Sequence, residues 1–373
     1  MSVNRWMVVA LAGALTAVSA GCASGSDGAE TALPTTTAAA AAPSGLSALD
    51  ADGDGVVQFA VAAAGPANDG AYVQATVEGV KAIADEYDLP EPIVVDEIAA
   101  EQAAEKLEAI AQQGADVIVV AASEIAGPLD VLTVQYADVF WYCNCGSGYG
   151  TELQGLAQTR DDSSEISYTA GYATGLLLAD EDESSVLFLG CCDLGFEKEA
   201  YLAFEMGLVD ALPGATMTYV PSGAYPYDFA NTAGATEAYN AAKAAGIGAV
   251  YPYLDGAHEA IVQLANADGV LTMTAGKADG CERTDLGYAL EVRFDGGDYV
   301  VEAVRRILAG TFTEGQVVTF RPGDDVGPGG SPGAFICSPT PEQEAAMEAV
   351  YDKIKAGEFA AAFGEIKAKA YAG

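Results

Sequence analysis

The chain has 373 residues, of which 54 are acidic and 16 basic, giving a formal charge of −38 with a single histidine. So acidic a surface argues against recognising nucleic acid or an anionic membrane face through a basic patch, and it disfavours a polyanionic ligand. The length exceeds one usual domain and points to two core-forming units.

At the start, Arg5 precedes the apolar run "WMVVALAGALTAVSA", too short to span a bilayer comfortably, and then comes "GCASGSDG". This is the pattern of a secretory signal over 1–21. Ala20-Gly21-Cys22 resembles a bacterial lipoprotein box, which makes Cys22 the expected lipidation site and the outer face of the cell membrane the expected location. Ser19 departs from the usual branched apolar residue of such boxes, and plain cleavage after Ala20 is the alternative. Residues 22–54, rich in Ala, Thr, Ser, Gly and Pro, lack the apolar surface to fold alone and read as a flexible tether.

The tether ends in "LDADGDGVVQF". Asp50, Asp52, Asp54 and Gly55 match the first, third, fifth and sixth positions of an EF-hand loop, but the twelfth position, which needs a bidentate Glu, is Val61 inside an apolar run. The triplet therefore reads as solvated linker charge, and no metal site is expected.

From Val56 the pattern alternates. Strand-like runs at 56–64, 92–97, 115–122 and 138–144 are separated by segments of helical spacing such as "GAYVQATVEGVKAIADEY". A helix "SYTAGYATGLLLA" then opens a second series, with strands at 185–191, 215–222, 248–254 and 270–276 and helices at 197–212, 232–246 and 256–266. The expected class is α/β, with two doubly wound parallel-sheet lobes joined by a hinge. The first lobe is expected to take 55–162 plus about 277–335, and the second 163–276. Residues 340–373, opening near Pro341, are expected to close the fold as packing helices.

Six cysteines besides Cys22 form an even set in an exported chain: Cys143, Cys145, Cys191, Cys192, Cys281 and Cys337. Disulfides are expected. Cross-links between neighbouring strand ends are favoured over bonds between adjacent cysteines, which would be strained. Clustered cysteines could instead bind zinc, but the lone His258 and the oxidising compartment count against it.

Ligands of doubly wound sheets sit beyond the carboxyl ends of strands, which directs attention to 65–72, 143–149, 191–196, 222–227, 253–258, 276–279 and 291–295. The first of these loops continues as "NDGAYVQATVEGVKAI". It resembles the "DGSFNQSAYEGLKKA" signature of the basic membrane protein (PnrA-like) family, nucleoside-binding lipoproteins of ABC importers, through Asp69, Gly70, Tyr72, Gln74, Glu78 and Gly79. "GADVIVV", "YADVFWY", "SYTAGYATG" and "YLAFEMG" follow in family order, so the similarity spans roughly 56–310.

The resemblance implies a type I periplasmic-binding-protein fold and a nucleoside-like small-molecule ligand, with permease and ATPase subunits as partners and no cofactor. It also implies site residues. Tyr72 would stack on the ligand and Asp69 would hydrogen-bond it or cap the helix. Trp141 would line the cleft or fill the core. Tyr253 and Asp255 would replace a Gly-rich ligand loop. Lys277, in "AGKADGCER", and Arg293, nearest the family's conserved lysine, complete the candidates.

Some family contacts are missing. Val73 stands where the family has Asn, and Ala278 stands near an expected ribose-binding Asp, with Asp279 offset. A modified nucleoside, a free base or a cationic solute thus stays open. The rival class, an exported α/β hydrolase, finds no H-E-x-x-H and no P-loop, and His258 reads as a helix-surface residue. A ligand sensor of the same fold is the remaining alternative.

Overall fold

The computed structural model describes residues 45–181, 183–225, 227–326 and 330–372. The signal, Cys22 and most of the tether lie outside these. The described chain begins with a short helix, α1 (Leu46–Leu49), followed by β1 (Phe59–Ala63), α2 (Tyr72–Glu86), β2 (Ile93–Val95), α3 (Ala103–Gln112), β3 (Val117–Ala121), α4 (Leu129–Gln135), β4 (Phe140–Asn144) and β5 (Ala157–Asp161). A second run follows: α5 (Ser163–Asp180), β6 (Ser185–Gly190), α6 (Gly195–Ala211), β7 (Thr216–Pro221), α7 (Thr232–Ala245), β8 (Ala249–Pro252), α8 (His258–Asp268) and β9 (Leu271–Thr272). The chain ends with β10 (Leu290–Arg293), α9 (Gly296–Leu308), β11 (Val317–Phe320), β12 (Gly333–Ile336), α10 (Pro341–Lys355) and α11 (Ala360–Ala370).

The first sheet is parallel throughout, in the order β11-β5-β4-β3-β1-β2. Its central strands are buried on both faces, which is why they read as unbroken apolar runs. Val73, Val77, Val80 and Ile83 of α2 join Val300, Val304 and Ile307 of α9 over one face; Leu107, Ile110, Leu129 and Leu132 of α3 and α4 cover the other.

The second sheet, β7-β6-β8-β9, is also parallel, and a bridge from Met273 to Leu290 extends it into the antiparallel pair β10-β12. Helices α5 and α6 pack closely on one face. A Cβ at Gly171 would overlap the Phe204 carbonyl and one at Gly207 the Tyr168 carbonyl, so two glycines set how near the helices approach. Helices α7 and α8 cover the opposite face, while α10 and α11 add Val350, Ile354 and Phe363 against Tyr168 and Ala203. Thr340 and Gln343 form a capping box around Pro341, which fixes the start of α10.

The chain passes between sheets three times: from β5 to α5, from β10 to α9, and from β11 to β12. The sequence assigned all of 277–335 to the first lobe, but only α9 and β11 belong there. Leu290, Val292, Ala334 and Ile336 are buried with the second core because β10 and β12 complete that sheet's edge.

The tether also ends earlier than expected. Leu49 is buried in the first core, Leu46 packs on it, and the Gly45 N–H donates to the Leu308 carbonyl at 2.8 Å, so the chain is docked from 45 onward. Asp50, Asp52 and Asp54 follow as a series of turns, their carboxylates accepting backbone N–H bonds from Gly53, Asp54, Gly55 and Val56 at 2.8–3.0 Å.

The cysteines also depart from expectation. The sulfurs lie adjacent in the pairs Cys143–Cys145, Cys191–Cys192 and Cys281–Cys337. Cys143 lies near the end of β4 in the first sheet and Cys191 follows β6 in the second, so the two groups have no shared edge across which to pair.

Candidate ligand-binding site

A cavity of about 90 Å³ lies between the lobes. Tyr72, Ser123, Glu124, Ser147 and Asp161 reach it from the first lobe and Phe196, Phe229, Tyr253 and Asp255 from the second, with Phe294 at a crossing between them. Each comes from just beyond, or at, the carboxyl end of a parallel strand or from the start of the following helix, as the sheet topology requires.

The aromatic lining is held by the scaffold. Tyr72 opens α2 and donates its hydroxyl to the Asn144 carbonyl at 3.1 Å. The buried Asn144 side chain accepts from Thr159 Oγ1 at 3.0 Å and donates to the Gly296 carbonyl at 2.8 Å and Thr76 Oγ1 at 3.1 Å, tying β4, β5, α2 and α9 together beneath that ring. Tyr253 continues a cluster through Phe188, Tyr251 and Phe294, with centroids 5.5–5.7 Å apart.

The carboxylates fall into two groups. Asp69 is saturated by the first turn of α2: Oδ1 accepts from the N–H groups of Ala71 at 2.9 Å and Gln74 at 3.0 Å, and Oδ2 from Val73 at 3.3 Å. Glu197 likewise receives backbone N–H bonds from Cys191, Cys192 and Leu194 and holds the turn after β6. These groups organise loops.

Glu124 and Asp161 differ. Oε2 of Glu124 and Oδ1 of Asp161 are buried without a hydrogen-bond partner among the described residues. Burial drives both carboxyls up to about 7, and the raising charges beside them are acidic, Glu197 for Glu124 and then Glu199 and Asp162 for Asp161. The Asp255 carboxyl is pushed well above the usual range by burial and then by Asp69, Glu124 and Glu197. Ala122, just before Glu124, has φ 76° and ψ 159°, a region nearly reserved for glycine, and is held there by donating to the Asn144 carbonyl at 3.0 Å. Such strain costs on the order of 1–3 kcal/mol and gathers at binding sites.

Of the residues singled out in the sequence, Tyr72, Tyr253 and Asp255 meet at the cavity. Asp69 lies behind it as a helix cap. Trp141 is fully buried in the first core, its Nε1 donating to the Tyr136 carbonyl at 3.1 Å, and it is not part of the lining. Lys277 stands 3.9 Å from Asp279 and acts electrostatically on Asp69 and Asp295, outside the lining. Arg293 pairs with Glu291 at 2.6 Å and lies 4.1 Å over the Phe335 ring, also outside the lining. His258 is buried rather than on the helix surface. It meets the Pro252 carbonyl through Nδ1 at 2.7 Å, and burial lowers its pKa to about 4.

The family model of the PnrA-like ABC transporter substrate-binding proteins matches residues 56–326. The chain belongs to this family. Solved structures agree on the fold. An ABC transporter solute-binding protein from Conexibacter woesei is 20% identical with a TM-score of 0.60, covering 81% of this chain and 97% of its own. One from Aeropyrum pernix is 13% identical at 0.61, covering 84% and 90%. A Bacillus halodurans protein described as a transcriptional activator of the comK gene is 14% identical at 0.60, covering 79% and 96%. No curated protein matches the chain. This family member is an extracytoplasmic substrate-binding component of an ABC importer, which takes a small molecule and works with permease and ATPase subunits. Among its described residues no helix is long and apolar enough to cross a membrane.

Proposed function

We propose that the protein is a lipid-anchored receptor, tethered through Cys22, that closes its lobes around a flat, nucleoside-like solute and presents it to the importer. The observation that carries this reading is the interlobe cavity walled by Tyr72 on one side and by Tyr253, Phe196 and Phe229 on the other. Aromatic faces from both lobes favour a planar ligand, and a ligand touching both lobes favours the closed form by its differential affinity. The hydrolase alternative gains nothing from the buried His258, which is absent from the cavity lining.

A thermal-shift screen of the soluble domain against nucleosides, bases, amines, sugars and calcium tests this. A ligand at 100 times its dissociation constant adds about 2.7 kcal/mol of stability. A clear shift that disappears in Tyr72→Ala supports the reading; a shift that Tyr72→Ala leaves intact refutes it.

A further inference from the structure

Resting on that reading of the cavity, we infer that the ligand carries a positively charged nitrogen, an amine, amidinium or protonated ring, held by Glu124 and Asp161 of the first lobe and Asp255 of the second. Among the described residues, two of these carboxylates present a buried oxygen with no hydrogen-bond partner, and the lining holds no Lys or Arg to neutralise any of the three. Nearby cations are committed elsewhere: Lys367 pairs with Asp162 at 2.9 Å, Arg321 with Glu165, and Lys277 faces Asp279, Asp69 and Asp295.

Most buried carboxylates nearby are satisfied by backbone N–H groups, as at Asp69, Glu197 and Asp295. The protein thus satisfies its structural acids, while two of the three carboxyls that line the cavity, Glu124 and Asp161, each keep one buried oxygen without a donor among the described residues. A buried acceptor without a donor is costly, and a cationic N–H donor is the complement that removes both the missing hydrogen bond and the uncompensated charge. With aromatic walls on both sides, the site suits a cation attached to, or part of, a planar ring.

The test is calorimetric titration with matched pairs: benzamidine against benzamide, tyramine against the corresponding alcohol, and a ring-methylated cationic adenosine against adenosine. The cationic member should bind about 10- to 100-fold tighter in at least one pair, the range of a charge-assisted bond. Asp161→Asn or Glu124→Gln should shrink that preference about tenfold, and an unchanged circular-dichroism spectrum and cooperative urea transition show that the variant is folded.

Binding should also strengthen as pH rises through about 7, since the complex favours the ionised carboxylates of Glu124 and Asp161, whose charged neighbours Glu197, Glu199 and Asp162 are acidic. Neutral members bound as tightly as their cations in every pair that binds, or a preference unchanged in both variants, overturn the inference while the aromatic-ligand reading stands. Failure of every probe, charged or neutral, overturns both.

Discussion

Replacing Asp161 by Asn should stabilise the unliganded protein at alkaline pH and do little at acid pH. Burial carries the Asp161 carboxyl from an ordinary 3.8 to about 7. At about 1.4 kcal/mol per pH unit, keeping the group ionised at pH 8 costs the folded state on the order of 4 kcal/mol. The native state binds the extra proton between those values, so this cost is absent below pH 4, grows as pH rises and is complete above about 7. Opening of the lobes lets water reach the carboxylate, so about 4 kcal/mol is a ceiling.

His258 works the other way. Its native pKa of about 4 lies below the ordinary 6.5, so its contribution is present above 6.5 and lost as pH falls. The difference between wild type and variant cancels it. Urea unfolding of both proteins at pH 5 and pH 8 gives that difference directly. A stability gap that is flat across this range, or an Asn variant less stable at pH 8, would refute the claim that Asp161 is a buried, uncompensated acid.

Four further outcomes are expected. Tyr72→Ala should weaken ligand binding by about 1–3 kcal/mol, the worth of a stacked ring, whereas Tyr72→Phe should keep most of it; titration with the best ligand from the thermal screen separates the two. His258→Phe should flatten the acid limb of the stability curve, where wild type loses on the order of 3 kcal/mol as pH falls from 6.5 to about 4. It should also cost about 1–3 kcal/mol at neutral pH through the bared Pro252 carbonyl. Cys281→Ser should cost about 4 kcal/mol by the loop-closure relation for a separation of 56 residues, matched in wild type by reductant, and denaturant midpoints with and without dithiothreitol read this. Cys22→Ser should release the mature chain from the detergent phase to the aqueous phase on cloud-point partition.

How legible these features were in the sequence follows from burial. A parallel strand covered on both faces announces itself by an unbroken apolar run, so β1, β3, β4 and β6 were readable. β5, with the sequence "AQTRD", has no such run, and because it was missed its last residue, Asp161, went unnoticed as well. Glu124 follows β3, whose apolar run is legible, and its place just past the carboxyl end of that strand is the signal that marks it.

In β4 the residues from Phe140 to Cys143 are all apolar or aromatic, so nothing local told which side of the strand Trp141 occupies. Alternation puts it with Cys143 in the core beneath α3 and α4, and puts Tyr142 on the opposite face of the sheet. The return of β10 and β12 to the second sheet depends on pairing across chain crossings, which no local pattern encodes. Tyr72, Tyr253 and Asp255, which line the cavity, stand out in the sequence through the family resemblance and their places at strand ends. Lys277 and Arg293 were drawn from positional analogy alone, and local acids hold them away from the cavity lining.

The most direct measurement is a crystal structure of the protein with the strongest ligand from the matched pairs. The account predicts the ligand's ring between Tyr72 and the aromatic wall of the second lobe, with a charged nitrogen within about 3 Å of Asp161 Oδ1 or Glu124 Oε2. A ligand seated elsewhere, or one that leaves both oxygens without a donor, would contradict it.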